Sequence, residues 1–280
     1  MTTRLRRLAD EVIEVKGDGP TKVKVLVGTP TLGKIRMEWH NAWGGLVVPT
    51  NWHNSQMTPF GYLTHDAQNL IVTAALERGV EYLVLVEDDN LVPPDLFLKL
   101  RGYIEQNKRR AEGIPVVSAL YHVKGTHYTT CPCRPGCRSE PMIYRGRGTG
   151  PYISLPNGKP AWKPGDLVWA DGVPTGCVMI HMSLIEAQAK TADRYTLPRL
   201  GGAEITAYKI FDAPRAVIDA GLEGYQRIMG TSDLAWCEAI MAEGILAKTG
   251  WTGVAKRRYP FAVDTALRSG HIDFETGAVW

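Results

Sequence analysis

Glu87, Asp88 and Asp89 stand in succession directly after the apolar run YLVLV, in the stretch VEYLVLVEDDNLVPPDLF. Adjacent carboxylates repel one another unless a cation or several hydrogen-bond donors offset the charge, and hard oxygen ligands suit magnesium or manganese. A solvated turn leading into a helix is the other reading, because a helix N-terminus also favours negative charge. Residues 82–86 are all apolar, so the turn leaves a buried sheet, and that favours the cation. A second set lies in HYTTCPCRPGC, where His127, Cys131, Cys133 and Cys137 offer one imidazole and three thiolates. Four such groups can close a tetrahedral structural zinc site in a loop poor in apolar material, although the spacing is not the usual Cys-x2-Cys. Free thiols or a redox-sensitive loop are the alternative. GRGTG at 146–150 has no strand before it and no helix after it, which excludes a phosphate loop. Gly-x-Ser-x-Gly and His-Glu-x-x-His are both absent from the sequence.

The elements that must position these groups follow from periodicity. Val23, Val25 and Val27 predict a strand that stops at Gly28 and Pro30. In YLTHDAQNLIVTAALERG, residues Leu63, Ala67, Leu70, Ile71, Ala74 and Ala75 form one helical stripe that Gly79 closes. The strand YLVLV comes next, then a helix opened by paired prolines and carrying Leu96, Leu100, Tyr103 and Ile104, then the strand in IPVVSALY. Alternating strands and helices imply parallel pairing with right-handed crossovers, and ligands then sit at the carboxyl ends of the strands. Glu87–Asp89 and the GTPT at 28–31 therefore share one crevice edge. Residues 122–170 are rich in Gly, Pro, Arg, Thr and Tyr and lack periodicity, as a long loop insertion would. Tyr152, Trp162 and Trp169 in this region could stack on a sugar or a base. The acceptor-side candidate is WADGVPTG, with Trp169, Asp171, Thr175 and Gly176, because it leads straight into the next strand, in GCVMIH. A helix follows with Ser183 and Glu186 in capping-box spacing, then a last helix over DLAWCEAIMAEG and a mixed C-terminal tail.

A chain of 280 residues that is 44% hydrophobic can bury a full core. Residues 1–20 read as a leading segment, and 21–280 as one domain. Its parts are a nucleotide-binding half at 21–121, the insertion at 122–170 and an acceptor-binding half at 171–280. No stretch approaches the roughly 18 apolar residues of a membrane span, and no apolar core follows the first arginines, so the expectation is a soluble cytoplasmic protein. Five cysteines is an odd count, and Cys177 and Cys237 lie in apolar surroundings that suit reduced, buried thiols. A net charge of +3 falls short of what would by itself argue a nucleic-acid binder. RLRR at 4–7 and KRR at 256–258 read as solvated surface.

Taken in order, five stretches resemble the nucleotide-sugar glycosyltransferases of the GT-A fold, particularly family-2-like and mannosylglycerate-synthase-like enzymes. They are VLVGTPTLGKIRMEW, YLVLVEDDNLVPPDLF with the helix before it, DGVPTGCVMIHMSLI, GTSDLAWCEAIMAEG and GHIDF. The resemblance implies an α/β fold with a Rossmann-type, mostly parallel central sheet flanked by helices and carrying a long loop insertion. It also implies a UDP- or GDP-sugar donor, a hydroxyl acceptor, and Mn2+ or Mg2+. Glu87 and Asp89 fall on the outer places of the Asp-x-Asp motif: Asp89 would ligate the cation, and Glu87 would act through ribose or a metal-bound water. Asp88 joins the nucleotide contacts, and His271 would be the second protein ligand. Thr29, Pro30 and Thr31 would line the base, with Asn69 at the base or ribose. Gln68 stands where the family often has Arg, which leaves the base open. Asp233 would be the general base of an inverting transfer, or would orient substrate in a retaining one. Ser232 stands where the pattern has Glu. The resemblance leaves three acceptor classes open: a glycan, a small molecule or a modified DNA base. A nucleotidyltransferase on a similar sheet and a nucleic-acid-binding module are the alternatives.

Overall fold

The computed structural model describes residues 22–124, 139–145, 153–154, 162–198, 202–212, 216–219, 226–229, 231–274 and 277–279. The chain opens with β1 (Val23–Gly28), α1 (Met37–Gly44), β2 (Trp52–Met57), α2 (Thr64–Glu77), β3 (Tyr82–Val86), β4 (Asn90–Leu91), α3 (Leu96–Asn107) and β5 (Val116–Leu120). Four short strands follow: β6 (His122–Lys124), β7 (Ser139–Pro141), β8 (Tyr144–Arg145) and β9 (Ile153–Ser154). Next come β10 (Leu167–Ala170), β11 (Cys177–His181), α4 (Met182–Ala189), β12 (Arg194–Pro198), β13 (Glu204–Tyr208), β14 (Ala216–Asp219) and β15 (Gln226–Met229). The chain closes with α5 (Ser232–Ala242), α6 (Ile245–Lys248), α7 (Thr252–Ala255), β16 (Phe261–Arg268) and β17 (Gly270–His271).

One seven-stranded sheet organises these elements in the order β10-β16-β5-β11-β3-β1-β2. The pairs β1–β2, β1–β3 and β5–β16 are parallel, whereas β11 runs antiparallel to both β3 and β5, and β10 antiparallel to β16. The sheet is therefore mixed, not mostly parallel. The cause is residues 171–176, which bring the chain back to the carboxyl end of β3, so that β11 enters with Cys177 opposite Val86. All five residues of β3 are buried, because one core packs α2, α4 and α5 on one face while a second packs α3 and Trp43 of α1 on the other. Gly79 at φ 57° takes the left-handed conformation that lets the chain turn out of α2.

Three further expectations change. The insertion is not free of core: Ile143 is fully buried, Met142 N–H donates to Tyr121 O at 3.0 Å, and β10 is an edge strand of the main sheet. The C-terminal tail contains β16, an interior strand between β10 and β5. The capping box at Ser183 does not form, because α4 starts at Met182, two residues before a Ser183 cap would allow. His181 caps the helix instead, its Nδ1 accepting from Ser183 N–H at 3.1 Å, and Ser183 Oγ accepts from Trp251 Nε1 at 3.0 Å. Among the described residues no helix is long and apolar enough to cross a membrane. Cys177 and Cys237 are free and buried.

Candidate functional site

The ends of β1 and β3 build one cleft of about 510 Å³. β1 reaches it through Gly28, whose backbone lies so close to α2 that a Cβ there would stand 2.3 Å from Ile71 Cγ2. Thr29 is 2% exposed and its N–H donates to Met57 O at 2.9 Å, so it holds the loop from inside. Pro30, Thr31, Leu32 and Lys34 then form one wall, facing Glu87, Asp88 and Asp89. Tyr62, Thr64 and Phe274 complete the lining. The acidic turn is fixed by its backbone: Glu87 N–H donates to Gly176 O at 2.9 Å, and Glu87 O accepts from Trp39 Nε1 at 3.0 Å and from Asn90 N–H at 3.1 Å.

His271 arrives at this turn on β17, which pairs antiparallel with β4 so that His271 lies opposite Asn90. Its Nε2 stands 3.1 Å from Asp89 Oδ2, while Asp89 Oδ1 accepts from Asn90 Nδ2 at 2.8 Å. The imidazole stacks on Tyr121, with centroids 5.9 Å apart and planes 7° from parallel, and its buried Nδ1 makes no hydrogen bond. Gly176 admits this arrangement: a Cβ would stand 2.5 Å from the Tyr121 hydroxyl and 2.7 Å from Asn90 Nδ2. Tyr121, Asn90 and Trp39 were not legible as site residues, since each sits in an otherwise ordinary strand, turn or helix sequence.

The electrostatics are those of uncompensated carboxylates. Burial pushes the Glu87 carboxyl up to about 8, helped by the charges of Asp89 and Asp233 and opposed by the Thr175 hydroxyl, which donates to Glu87 Oε1 at 3.3 Å. Burial also raises Asp88, against a hydrogen bond from Thr31, and raises Asp233, against hydrogen bonds from Thr231 and Leu234 N–H. Tyr121 is held well above the ordinary phenol range by burial and by Glu87, Asp233 and Asp89. Among the described residues no lysine or arginine forms an ion pair with any of these four carboxylates.

The remaining predicted residues take other places. Asn69 is 0% exposed: its Oδ1 accepts from Ile210 and Phe211 N–H, and its Nδ2 donates to Phe211 O and Tyr195. Its amide is spent inside the protein, as is that of Gln68, which accepts from Ser232 Oγ at 2.9 Å and donates to Thr175 Oγ1 at 2.8 Å. Neither side chain reaches the cleft, because the β12–β13 ribbon and the 171–176 segment cover the faces of α2 that carry them. Asp233 lies in the first turn of α5, close enough to Glu87 for their charges to interact, but off the cleft wall. Asp171 is 1% exposed, and Trp169 lies on β10 at the sheet edge opposite β2, its ring under the Arg257 guanidinium at 3.8 Å. His127, Cys131, Cys133 and Cys137, the GRGTG stretch, Tyr152 and the leading segment lie outside the described residues. Among the described residues no group of three or more His, Cys, Asp or Glu side chains is arranged to hold a metal ion.

The chain matches no protein-family model and no curated protein. Among solved structures it overlaps one titled "Crystal Structure of A197 from STIV", at 11% identity and a TM-score of 0.45, over 90% of this chain and 87% of that one. Nothing about activity follows from an overlap of that size. What the fold itself defines is a broadly Rossmann-like class, a mixed sheet flanked by helices with an acidic cleft at the carboxyl ends of its parallel strands.

Proposed function

We propose that the chain is a glycosyltransferase that moves a sugar from a nucleoside-diphosphate donor to a hydroxyl acceptor with help from a divalent cation. The observation that carries this reading is the convergence of His271 on Asp89 at 3.1 Å, beside Glu87 and Asp88 and opposite Thr31 in one cleft. The donor set fits a divalent cation that accepts oxygen and nitrogen, such as manganese: Asp89 and His271 supply a carboxylate and an imidazole, His271 keeps a buried nitrogen without a hydrogen bond, and among the described residues no lysine or arginine pairs with the cluster. Two protein ligands leave the rest of the shell to the donor's phosphates. When bound, the cation would offset the charge that builds on the departing diphosphate.

The protein's own contribution is positioning. Tyr121 and Asn90 hold the His271 ring and the Asp89 carboxylate in register, and Pro30, Thr31 and Tyr62 border the space for the nucleoside. Asp233 is the base of this reading: burial raises its proton affinity toward what proton abstraction needs, and Thr231 and Leu234 N–H fix its orientation.

The test is thermal unfolding with UDP, GDP and their common sugars, each with and without manganese, on the wild type, Asp89→Ala and His271→Ala. One nucleotide family should stabilise the wild type in a manganese-dependent way, by about 2.7 kcal/mol at a hundredfold excess over Kd, and neither variant should respond. Absence of any nucleotide response would overturn the proposal. Release of pyrophosphate in place of a nucleoside diphosphate would reassign the site to nucleotidyl transfer.

A further inference from the structure

A second charged surface lies at the opposite edge of the sheet. Arg145, at the end of β8, places its guanidinium 4.3 Å from the centroid of the Tyr259 ring, and Arg258 approaches the same ring at 5.3 Å. Arg257 lies over Trp169 of β10 at 3.8 Å, and Lys256 is exposed beside it. Arg145 is locked by two hydrogen bonds to Trp169 O, from Nε at 3.0 Å and Nη2 at 2.7 Å. Among the described residues the side chains of Lys256, Arg257 and Arg258 make no hydrogen bond or ion pair, and none of the four cations meets a carboxylate.

Three arginines on two aromatic rings, with Lys256 beside them, repel one another, and no described carboxylate pairs with them. Of the acidic side chains of this edge, Asp171 follows Ala170 at the near end but is 1% exposed, and Asp264 and Asp166 are engaged elsewhere. Asp264 accepts from Tyr103 and from Ala266 N–H, and Asp166 accepts from Lys163 N–H. Both lie toward the Leu167–Asp264 end of the strand pair, away from Ala170 and Phe261, where Tyr259 enters. The cluster therefore has the composition of a site that an external anion completes. A guanidinium stacked on a ring is already oriented, so less side-chain entropy is lost when its in-plane N–H groups meet a phosphate.

We infer that this edge, formed by Arg145 and Lys256–Arg258 around Tyr259 and Trp169, binds the phosphate backbone of a nucleic acid. An acidic protein fits it less well. A protein partner would need an exposed anchor to pack into it, and among the described residues no large exposed hydrophobic lies on this edge, where Trp169 and Tyr259 are covered by the arginines themselves. Cations with no apolar anchor instead match a partner recognised by its repeating charge. The surface is separate from the acidic cleft and does not depend on what the cleft does.

The experiment is fluorescence anisotropy with labelled single-stranded and duplex DNA of about 20 nucleotides across a salt series, each cation supplying roughly one unit of salt dependence. The wild type should bind at least one form, with log Kd linear in log salt. The combined variant Lys256→Ala, Arg257→Ala, Arg258→Ala should lower the slope by about 2 to 3 and weaken binding at least about tenfold near 0.1 M salt. Asp89→Ala, which removes the cleft's cation ligand, should bind DNA as the wild type does, so failure of one proposal is distinguishable from failure of the other. The three exposed substitutions should leave the urea midpoint unchanged, which separates lost binding from lost folding. Unchanged slope in the triple variant, no DNA binding by the wild type, or displacement of DNA by polyglutamate at equal charge concentration would each overturn the inference.

Discussion

Gln68 joins two segments that must meet behind the acidic turn. The direction of its bonds is fixed: Ser232 Oγ donates to Oε1, Nε2 donates to Thr175 Oγ1, and the Thr175 hydroxyl hydrogen is left for Glu87 Oε1. The chain of donors thus runs from the start of α5 to the Glu87 carboxylate, which burial disfavours. Gln68→Leu leaves both hydroxyls without that partner in a buried place, so it should cost about 2 to 6 kcal/mol, at roughly 1 to 3 for each unsatisfied group. Urea unfolding measures this, and a loss below about 1 kcal/mol would show that water or side-chain rearrangement replaces the amide. At this scale the sequence was legible where chemistry is self-evident in type: Glu87, Asp88, Asp89 and His271 do come together. The resemblance put Gln68 and Asn69 at the nucleotide, and the sequence alone does not show whether such a polar helix residue faces out. Whether it is buried depends on Thr175, Phe211 and Ser232, which are remote in the chain.

Helix α2 sits on β1 through one close approach, at Gly28. A Cβ there would meet Ile71 Cγ2 at 2.3 Å and Cδ1 at 2.9 Å, in a core where neither element can retreat. Gly28→Ala should therefore cost about 1 to 3 kcal/mol through overpacking, and should shift the loop that carries Pro30 and Thr31 into the cleft. Gly102 is the control within α3. A Cβ there meets nothing within 4 Å, so Gly102→Ala should stabilise by about 0.5 to 1 kcal/mol through helix propensity alone. Paired denaturant curves decide the matter, and equal effects of the two substitutions would refute the close-packing account. Elements with strong apolar periodicity, β1, α2, β3 and α3, were legible for the same reason that they pack: each buries a pattern that the sequence displays. β2 was not, because WHNSQM is an edge strand held by backbone pairing to β1 and buries one of its six residues fully. β16 was not, because FAVDTALR interrupts its apolar residues with Asp264 and Thr265. Tyr103 satisfies the first, and the second bonds to Lys163 O and Asp166 O, all partners far off in sequence.

At the scale of the whole molecule the cleft and the opposite end of the sheet carry opposite electrostatic problems. Acidic groups crowd the carboxyl ends of the parallel strands. At the other end β11 delivers His181 into an aromatic cage, with Tyr82 at 4.9 Å and Trp251 at 4.8 Å, both edge-on. Burial lowers the His181 imidazole from 6.5 to about 4, with the Arg110 charge adding to the effect. The sign follows from linkage: a histidine whose folded pKa lies below its unfolded value takes up its proton more readily in the unfolded chain. Its contribution to stability is present in full above pH 6.5, falls as the pH drops from 6.5 toward about 4, and is constant below that. At about 1.4 kcal/mol per pH unit, the loss is up to about 3 kcal/mol. Glu87, pushed up to about 8, gains its proton as the pH falls into this window and acts with the opposite sign, so the wild-type curve alone does not isolate the imidazole. The difference from His181→Asn does, because the amide oxygen can still accept from Ser183 N–H and cap α4 while carrying no proton-dependent charge. Urea midpoints measured from pH 7.5 to pH 4 should fall more steeply for the wild type than for the variant, with most of the divergence between pH 6.5 and pH 5. Parallel curves would place the acid sensitivity of the fold elsewhere, outside Glu87, Asp88 and Asp233, whose raised proton affinity makes them stabilise the fold as the pH falls.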